Sequence, residues 1–194
     1  MNDKIFSQEY WSKRYKATDT PWQLKEVSPA FVQWFSKVQP PKDTRILIPG
    51  AGGGHEAIWL EQQGYTNIVV LDWAPEVIQA QKKNHPNSTV SWICGDFFAE
   101  SQKFDLILEQ TFFCALPPAM RKAYFQKMGE LLASKGKLIG VFFKQISAGG
   151  PPFHCSEDDL LFGLSEVFEE VKIVGCEYSI APRLGNEWWV VVGK

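Results

Sequence analysis

An apolar triplet that runs into a proline and then a row of glycines is what most restricts how this chain can fold. Ile46, Leu47 and Ile48 follow one another without a polar interruption, the pattern of a strand buried on both faces of a parallel sheet. Pro49 closes the strand, because it has no N–H to give to a ladder. Gly50, Gly52, Gly53 and Gly54 then let the backbone turn sharply and approach a ligand with no Cβ in the way. Residues 55–63 place Ala57, Ile58 and Leu60 at helical spacing, which predicts a helix. Strand, glycine turn and helix together form the nucleotide-binding corner of a Rossmann-like α/β fold.

The kind of nucleotide follows from a misfit. Gly50 and Gly52 match the start of G-x-G-x-x-G, but the third glycine position holds His55, which weakens an NAD or FAD reading. No G-x-x-x-x-G-K-[ST] follows to cradle a triphosphate. A ligand with an adenosine part and no phosphates fits better, and S-adenosylmethionine is the obvious one. Residues 67–72 read as a second buried strand ending in Asp72, 22 positions beyond Gly50, where a carboxylate can accept from both ribose hydroxyls. Residues 89–94 read as a third strand, followed by Asp96 to accept from an adenine amine and Phe97 to pack on the ring. Residues 104–108 read as a fourth, with Glu109, Gln110 and Thr111 at its end. Three successive strands therefore end in polar residues at one rim.

The rest of the chain frames that rim. At 194 residues one domain is expected, with residues 1–44 as a helical lid and 45–194 as the core. A helix over residues 6–15, with Ser7 as cap, and a second opened by Ser28 and Pro29 would form the lid, turning Trp11, Tyr15 and Trp22 inward. Aromatic faces there would attract a sulfonium cation and exclude water. Downstream, a helix over 120–133, a strand over 136–143, a loop over 148–153, a short helix over 157–164 and two closing strands, over 167–176 and 187–192, complete seven strands. The last two lie close in sequence and predict an antiparallel hairpin. A formal net charge of −2 with no basic block argues against a nucleic-acid partner, and no apolar run reaches membrane-spanning length. The four cysteines form no C-x-x-C pair and the N-terminus has no signal-peptide core, so reduced, mostly buried thiols in a cytoplasmic enzyme are expected. The three histidines are too scattered for a metal site.

These residues resemble a class I S-adenosylmethionine-dependent methyltransferase, and within that class the thiopurine S-methyltransferase family with its plant halide/thiol methyltransferases. The likeness is carried by Trp11, Thr20-Pro21-Trp22, the stretch Pro49 to His55, Leu71-Asp72, Gly95-Asp96-Phe97-Phe98, Phe113-Cys114-Ala115, Arg121 and Gly150-Pro151-Pro152-Phe153. It implies a mostly parallel seven-stranded sheet with helices on both faces and the last strand antiparallel. It implies Trp11, Tyr15, Trp22, Gly50, Gly52, Asp72, Asp96, Phe97 and Gln110 at the cofactor, and Arg121 and Phe153 at the substrate, with Arg121 orienting either the substrate or the cofactor. Tyr15 stands where the plant enzymes carry a tryptophan, and Gln110 where they carry a tyrosine after an acid. Phe153 is the thiopurine type of loop residue; the halide type carries tyrosine.

The chemistry expected is in-line methyl transfer to a small nucleophile: a thiol, a thiopurine sulfur or a halide-like anion. A thiolate needs no general base, since a thiol with a pKa of about 8.5 is partly ionised at neutral pH, and no Ser/His/Asp set or carboxylate pair is recognisable. A monomer acting on a small molecule, with S-adenosylhomocysteine as product, is the expectation. A non-catalytic S-adenosylmethionine-binding module and an NAD-dependent oxidoreductase are the alternatives.

Overall fold

The computed structural model describes residues 7–50, 52–144 and 149–194. Ala51 of the glycine run, Ala148 of the predicted loop and Phe6 of the predicted first helix lie outside the described residues. Seven strands are assigned: β1 (Arg45–Pro49), β2 (Asn67–Asp72), β3 (Ser91–Cys94), β4 (Phe104–Gln110), β5 (Leu132–Phe143), β6 (Glu170–Gly175) and β7 (Glu187–Gly193). They form one sheet in the order β3-β2-β1-β4-β5-β7-β6. The first five run parallel, while β7 is antiparallel to both β5 and β6. The chain thus winds outward from β1 to β3, then returns to the other side of β1 with β4. That reversal leaves a crevice beyond the carboxyl ends of β1 and β4, the place where such sheets bind ligands.

Strand parity divides the core. Ile46 and Ile48 of β1 face one layer and Leu47 the other. On the first side lie α2 (Pro29–Val38), α3 (His55–Gln62) and α4 (Pro75–Asn84), contributing Phe31, Phe35, Leu60 and Ile78. On the second lie α5 (Arg121–Leu131) and α6 (Glu157–Ser165), contributing Tyr124, Phe125, Met128, Leu160 and Leu164. The interior positions of β1 and β2 are therefore buried among apolar side chains on both faces, which is why these strands read as continuous apolar runs.

Several boundaries differ from the expected ones. Strand β4 continues through Glu109 and Gln110, because both pair with β5 opposite Gly140 and Val141. Strand β5 is assigned from Leu132, with an irregularity opposite Phe104–Leu106, rather than from Gly136. The helix expected from residue 120 starts at Arg121, after a 3-10 turn over Pro118–Met120. Ser28 makes no side-chain cap; its N–H instead donates to the buried Glu56 carboxylate at 3.3 Å. Helix α2 buries Ala30, Phe31 and Phe35 against the sheet and contributes no wall to the crevice. Only α1 (Gln8–Lys16), capped by the Ser7 hydroxyl, and the turn after it lie over the ligand edge.

Gly129 shows how tightly α5 is seated. A Cβ on Gly129 would stand 2.3 Å from Cγ1 of Val167. An alanine in mid-helix ordinarily gains about 1 kcal/mol over glycine, whereas overpacking a core contact costs about 1–3 kcal/mol. Gly129→Ala is therefore expected to destabilise the protein by about 1 kcal/mol in urea unfolding, and Val167→Ala in the same chain to recover most of the loss. An increase in stability from the single change would contradict this packing.

Candidate active site

The glycine loop is held from three sides. The Gly50 N–H donates to the Leu71 carbonyl at 2.7 Å, and the Gly52 N–H to the Asp72 carboxylate at 3.3 Å. The Gln81 amide of α4 reaches back to the carbonyls of Gly52 and Gly53 at 3.4 and 3.0 Å. Gly50 sits at φ +62°, and a Cβ there would stand 2.5 Å from the Phe112 ring, so only glycine fits between the loop and that aromatic. Gly54 at φ +68° then opens α3.

The crevice above this loop holds about 840 Å³ of space, counting that open to solvent. Its base is Gly50, Leu71 and Asp72; one side is Gly95, Asp96, Phe97 and Phe98; the other is Thr111, Phe112, Cys114 and Leu116. Trp11, Tyr15 and Trp22 cover it, and Pro151 and Pro152 close the rim. The covering rings meet edge to face, with Trp22 5.5 Å from Trp11 and 6.0 Å from Tyr15. A smaller recess adjoins it, sharing Trp22, Gly50 and Thr111 and lined further by Gly52, Gly53, His55 and Gln110.

Of the residues singled out from the sequence, Trp11, Tyr15, Trp22, Gly50, Asp72, Asp96 and Phe97 meet at the main cleft, and Gly52 and Gln110 at the recess. Arg121 and Phe153 line neither. The Arg121 guanidinium donates to the His154 carbonyl, faces Asp159 at 3.7 Å and lies over the Phe113 ring. The Phe153 N–H donates to the Cys114 carbonyl at 2.6 Å, and its ring folds against Gly150. Both residues fasten the 150–154 segment to the 3-10 turn at Phe113–Ala115, and this turns the two prolines, not Phe153, toward the cleft.

Two residues have roles that sequence reasoning did not assign, although Glu109 was placed at the end of the fourth strand. Glu109 is fully buried; one oxygen accepts from the Phe112 and Phe113 N–H groups at 2.8 and 3.0 Å, the other from the Tyr124 hydroxyl at 2.8 Å. It shapes the loop that forms the far wall. Its signal was an acid inside an otherwise apolar strand. Arg183, in the connection between β6 and β7, donates to the Trp22 carbonyl at 2.6 Å and pairs with Glu187 at 3.4 Å, holding the aromatic cover in place. No motif marks it, because only the fold brings the two segments together.

Burial governs the electrostatics. Loss of water pushes the Asp72 carboxyl up to about 6, against the pull of the Ala74 and Gly52 amides. It pushes Glu109 to about 7, against the amides of Phe113 and Phe112 and the Tyr124 hydroxyl. The Cys114 thiol is driven well upward by burial and then by the Glu109 charge, and Tyr15 by burial and then by Asp72. Such a lining can accept hydrogen bonds from a ribose at Asp72, offer Asp96 to an amine, stack Phe97 on a base and surround a cation with rings. An adenosyl sulfonium fits these groups.

A raised folded-state carboxyl pKa means that the native state holds the proton more tightly than the unfolded chain. The Glu109 contribution is complete below about pH 4.5 and is lost as pH rises through about 7, by an amount on the order of a few kcal/mol. In Glu109→Gln the amide oxygen can still accept the two backbone N–H groups, but nothing titrates. The fall in urea-unfolding stability between pH 5 and 8 is expected to be smaller in Glu109→Gln than in the parent protein; equal slopes would show that the carboxyl does not carry it.

The comparisons with known proteins agree with this geometry. The thiopurine S-methyltransferase family model matches residues 6–180. A probable thiol methyltransferase 2 from Arabidopsis thaliana is 33% identical over 187 residues, covering 91% of this chain and 81% of that protein. A thiopurine S-methyltransferase from Vibrio cholerae is 27% identical, covering 92% and 89%. Among solved structures, a magnesium protoporphyrin IX methyltransferase from Synechocystis with S-adenosylhomocysteine bound superposes with a TM-score of 0.74 at 12% identity over the whole of both chains, a likeness of fold. With the family matched over most of its length and the cleft lined for an adenosyl sulfonium, the chain belongs to the thiopurine S-methyltransferase family and is an S-adenosylmethionine-dependent methyltransferase.

Proposed function

We propose that the methyl acceptor is a small sulfur nucleophile, a thiol or thiopurine-like thiolate, with a halide-like anion as the nearest relative of that chemistry. The observation that carries the reading is that the ionisable groups lining the cleft, and Glu109 buried behind its far wall, are already engaged or protonated. Asp72 accepts from the Gly52 and Ala74 N–H groups, Asp96 from the Phe98 N–H, and Glu109 from three donors. Burial holds the Cys114 thiol and the Tyr15 hydroxyl protonated. An acceptor that arrives as an anion needs none of them as a base. S-adenosylmethionine supplies an activated methyl on sulfur, ready for in-line displacement. The chain's part is alignment and exclusion of water: Trp11, Tyr15 and Trp22 cover the cleft, and Phe112, Leu116, Pro151 and Pro152 present an apolar wall to the acceptor.

Names of the relatives support this range of acceptors, since they include a thiocyanate methyltransferase from Brassica oleracea as well as the thiol and thiopurine enzymes. Asp72, Asp96, Phe97, Trp11, Tyr15, Trp22, Gly50, Gly52 and Gln110 are proposed as the cofactor seat. Arg121 and Phe153 are proposed to act on the substrate through the loop they fasten. A monomer remains the proposed state. Three of the four free cysteines are buried, which suits the cytoplasm. Among the described residues no helix is long and apolar enough to cross a membrane.

A methyl-transfer assay over thiols, a thiopurine, iodide and thiocyanate tests the reading. Turnover of at least one sulfur acceptor is expected; tight S-adenosylhomocysteine binding with no transfer to any acceptor would favour a binding module instead. Across thiols of differing acidity, the pH at which the rate rises is expected to follow each thiol's own pKa. A midpoint shared by all of them would mean that the enzyme supplies a base.

A further inference from the structure

Three arginines stand around the cleft, and each is turned to partners outside it. Arg121 donates to the His154 carbonyl, faces Asp159 at 3.7 Å and lies over the Phe113 ring. Arg183 donates to the Trp22 carbonyl, pairs with the buried Glu187 and has its Cζ 4.9 Å from the centre of the Phe143 ring. Arg14 donates to Asp19 and to the Tyr10 hydroxyl and has its Cζ 4.4 Å from the centre of the Trp22 ring. None of the three is among the described residues that line the cleft. The acceptor side of that lining, formed by Phe112, Cys114, Ala115, Leu116, Pro151 and Pro152, is uncharged. Its one thiol, on Cys114, donates to the Thr111 carbonyl and is kept protonated by burial. The acids of the cleft, Asp72 and Asp96, lie on the side read as the cofactor seat.

We propose that this wall selects acceptors by charge: the substrate is a thiol that carries no charge except on its sulfur. The inference rests on the proposed methyl transfer to sulfur. A thiolate entering the cleft finds its countercharge on the sulfonium of S-adenosylmethionine. Its lone pair forms the new S–C bond as the bond from methyl to sulfonium breaks, and that electron pair passes to the cofactor's sulfur. A thioether and S-adenosylhomocysteine result, both uncharged at sulfur. Two opposite charges are consumed together, which an apolar wall favours because the products need no water at those atoms. A second charge on the acceptor has no such partner. A carboxylate would give up its water to Phe112 and Leu116 with Arg121 and Arg183 committed elsewhere, and an unpaired buried charge is strongly disfavoured. An ammonium would meet the same wall and the like charge of the sulfonium. The contacts that hold the arginines outside the cleft, Asp159 and Glu187 among them, are thus what make it selective.

Three thiols of similar shape test this: para-thiocresol, para-mercaptobenzoate and para-(aminomethyl)thiophenol, compared at a pH where all three sulfurs are ionised. For both charged thiols kcat/KM is expected to be about a hundredfold below that of para-thiocresol. Equal rates would overturn the proposal. A preference for the amine would also overturn it, by assigning the selection to Asp72 and Asp96. So would a fast reaction of the carboxylate that Arg121→Gln abolishes, since that arginine would then be acting inside the cleft. Ala115→Lys sets a cation in the wall and is expected to raise kcat/KM for para-mercaptobenzoate about tenfold relative to para-thiocresol. Calorimetry adds a readout without turnover. The para-thiocresol thiolate is expected to bind the complex with sinefungin, which carries an ammonium near the sulfonium position, about tenfold more tightly than the complex with S-adenosylhomocysteine. Equal affinities would contradict a countercharge supplied by the cofactor. If S-adenosylhomocysteine binds but none of the thiols is methylated, the proposed transfer to sulfur fails, and the charge rule falls with it.

Discussion

The site depends on one buried carboxylate. Asp72 ends β2 and is only 8% exposed, yet its two oxygens reach in opposite directions. One accepts from Gly52 in the glycine loop and the other from Ala74 at the start of α4. The turn after β1 and the turn after β2 are thereby locked together across the sheet. The same carboxylate lines the cleft, so the group that shapes the loop is also the one available to a ribose. Its raised pKa records the cost of that arrangement: the charge is kept from water and is compensated mainly by backbone amides.

A second carboxylate performs the matching task on the far wall. Glu109 takes the two amides that follow β4 and so bends the chain into the turn that presents Phe112 and Cys114. Phe112 in turn rests where a side chain on Gly50 would be. The two walls are consequently fitted to each other by contact, and a methyl group at position 50 would disturb both. The cover is attached more lightly. Gln8 donates to the Trp73 carbonyl, Lys16 pairs with Glu76, and Arg183 holds the Trp22 carbonyl. Exposed ion pairs such as Lys16–Glu76 contribute little on their own, so Arg183, which holds the Trp22 carbonyl and pairs with the buried Glu187, is the main clasp.

Much of this was legible in the sequence because the physics is local. A strand buried on both faces must be apolar throughout, and β1 and β2 announce themselves that way; a glycine run after such a strand permits few folds. The acids at the ends of β2 and β3 follow from the same logic. What stayed hidden depends on contacts between distant segments. Nothing near Arg183 foretells that it meets Trp22, and nothing in Arg121 foretells that its guanidinium is used on His154 rather than in the cleft. The second helix reads as part of a cover because it precedes the first strand, but it buries Ala30, Phe31 and Phe35 in the core beneath the sheet.

The central claim is that Asp72, as a carboxylate, receives the ribose of an adenosyl ligand. The measurement that bears on it most directly is the dissociation constant of S-adenosylhomocysteine from pH 5 to 8 for the parent protein and for Asp72→Asn. Ligand binding that requires the ionised acid should weaken below about pH 6, by up to about tenfold per pH unit. Asp72→Asn should bind weakly and without that slope. Parent affinity independent of pH, or an asparagine variant that binds as tightly as the parent, would contradict the account.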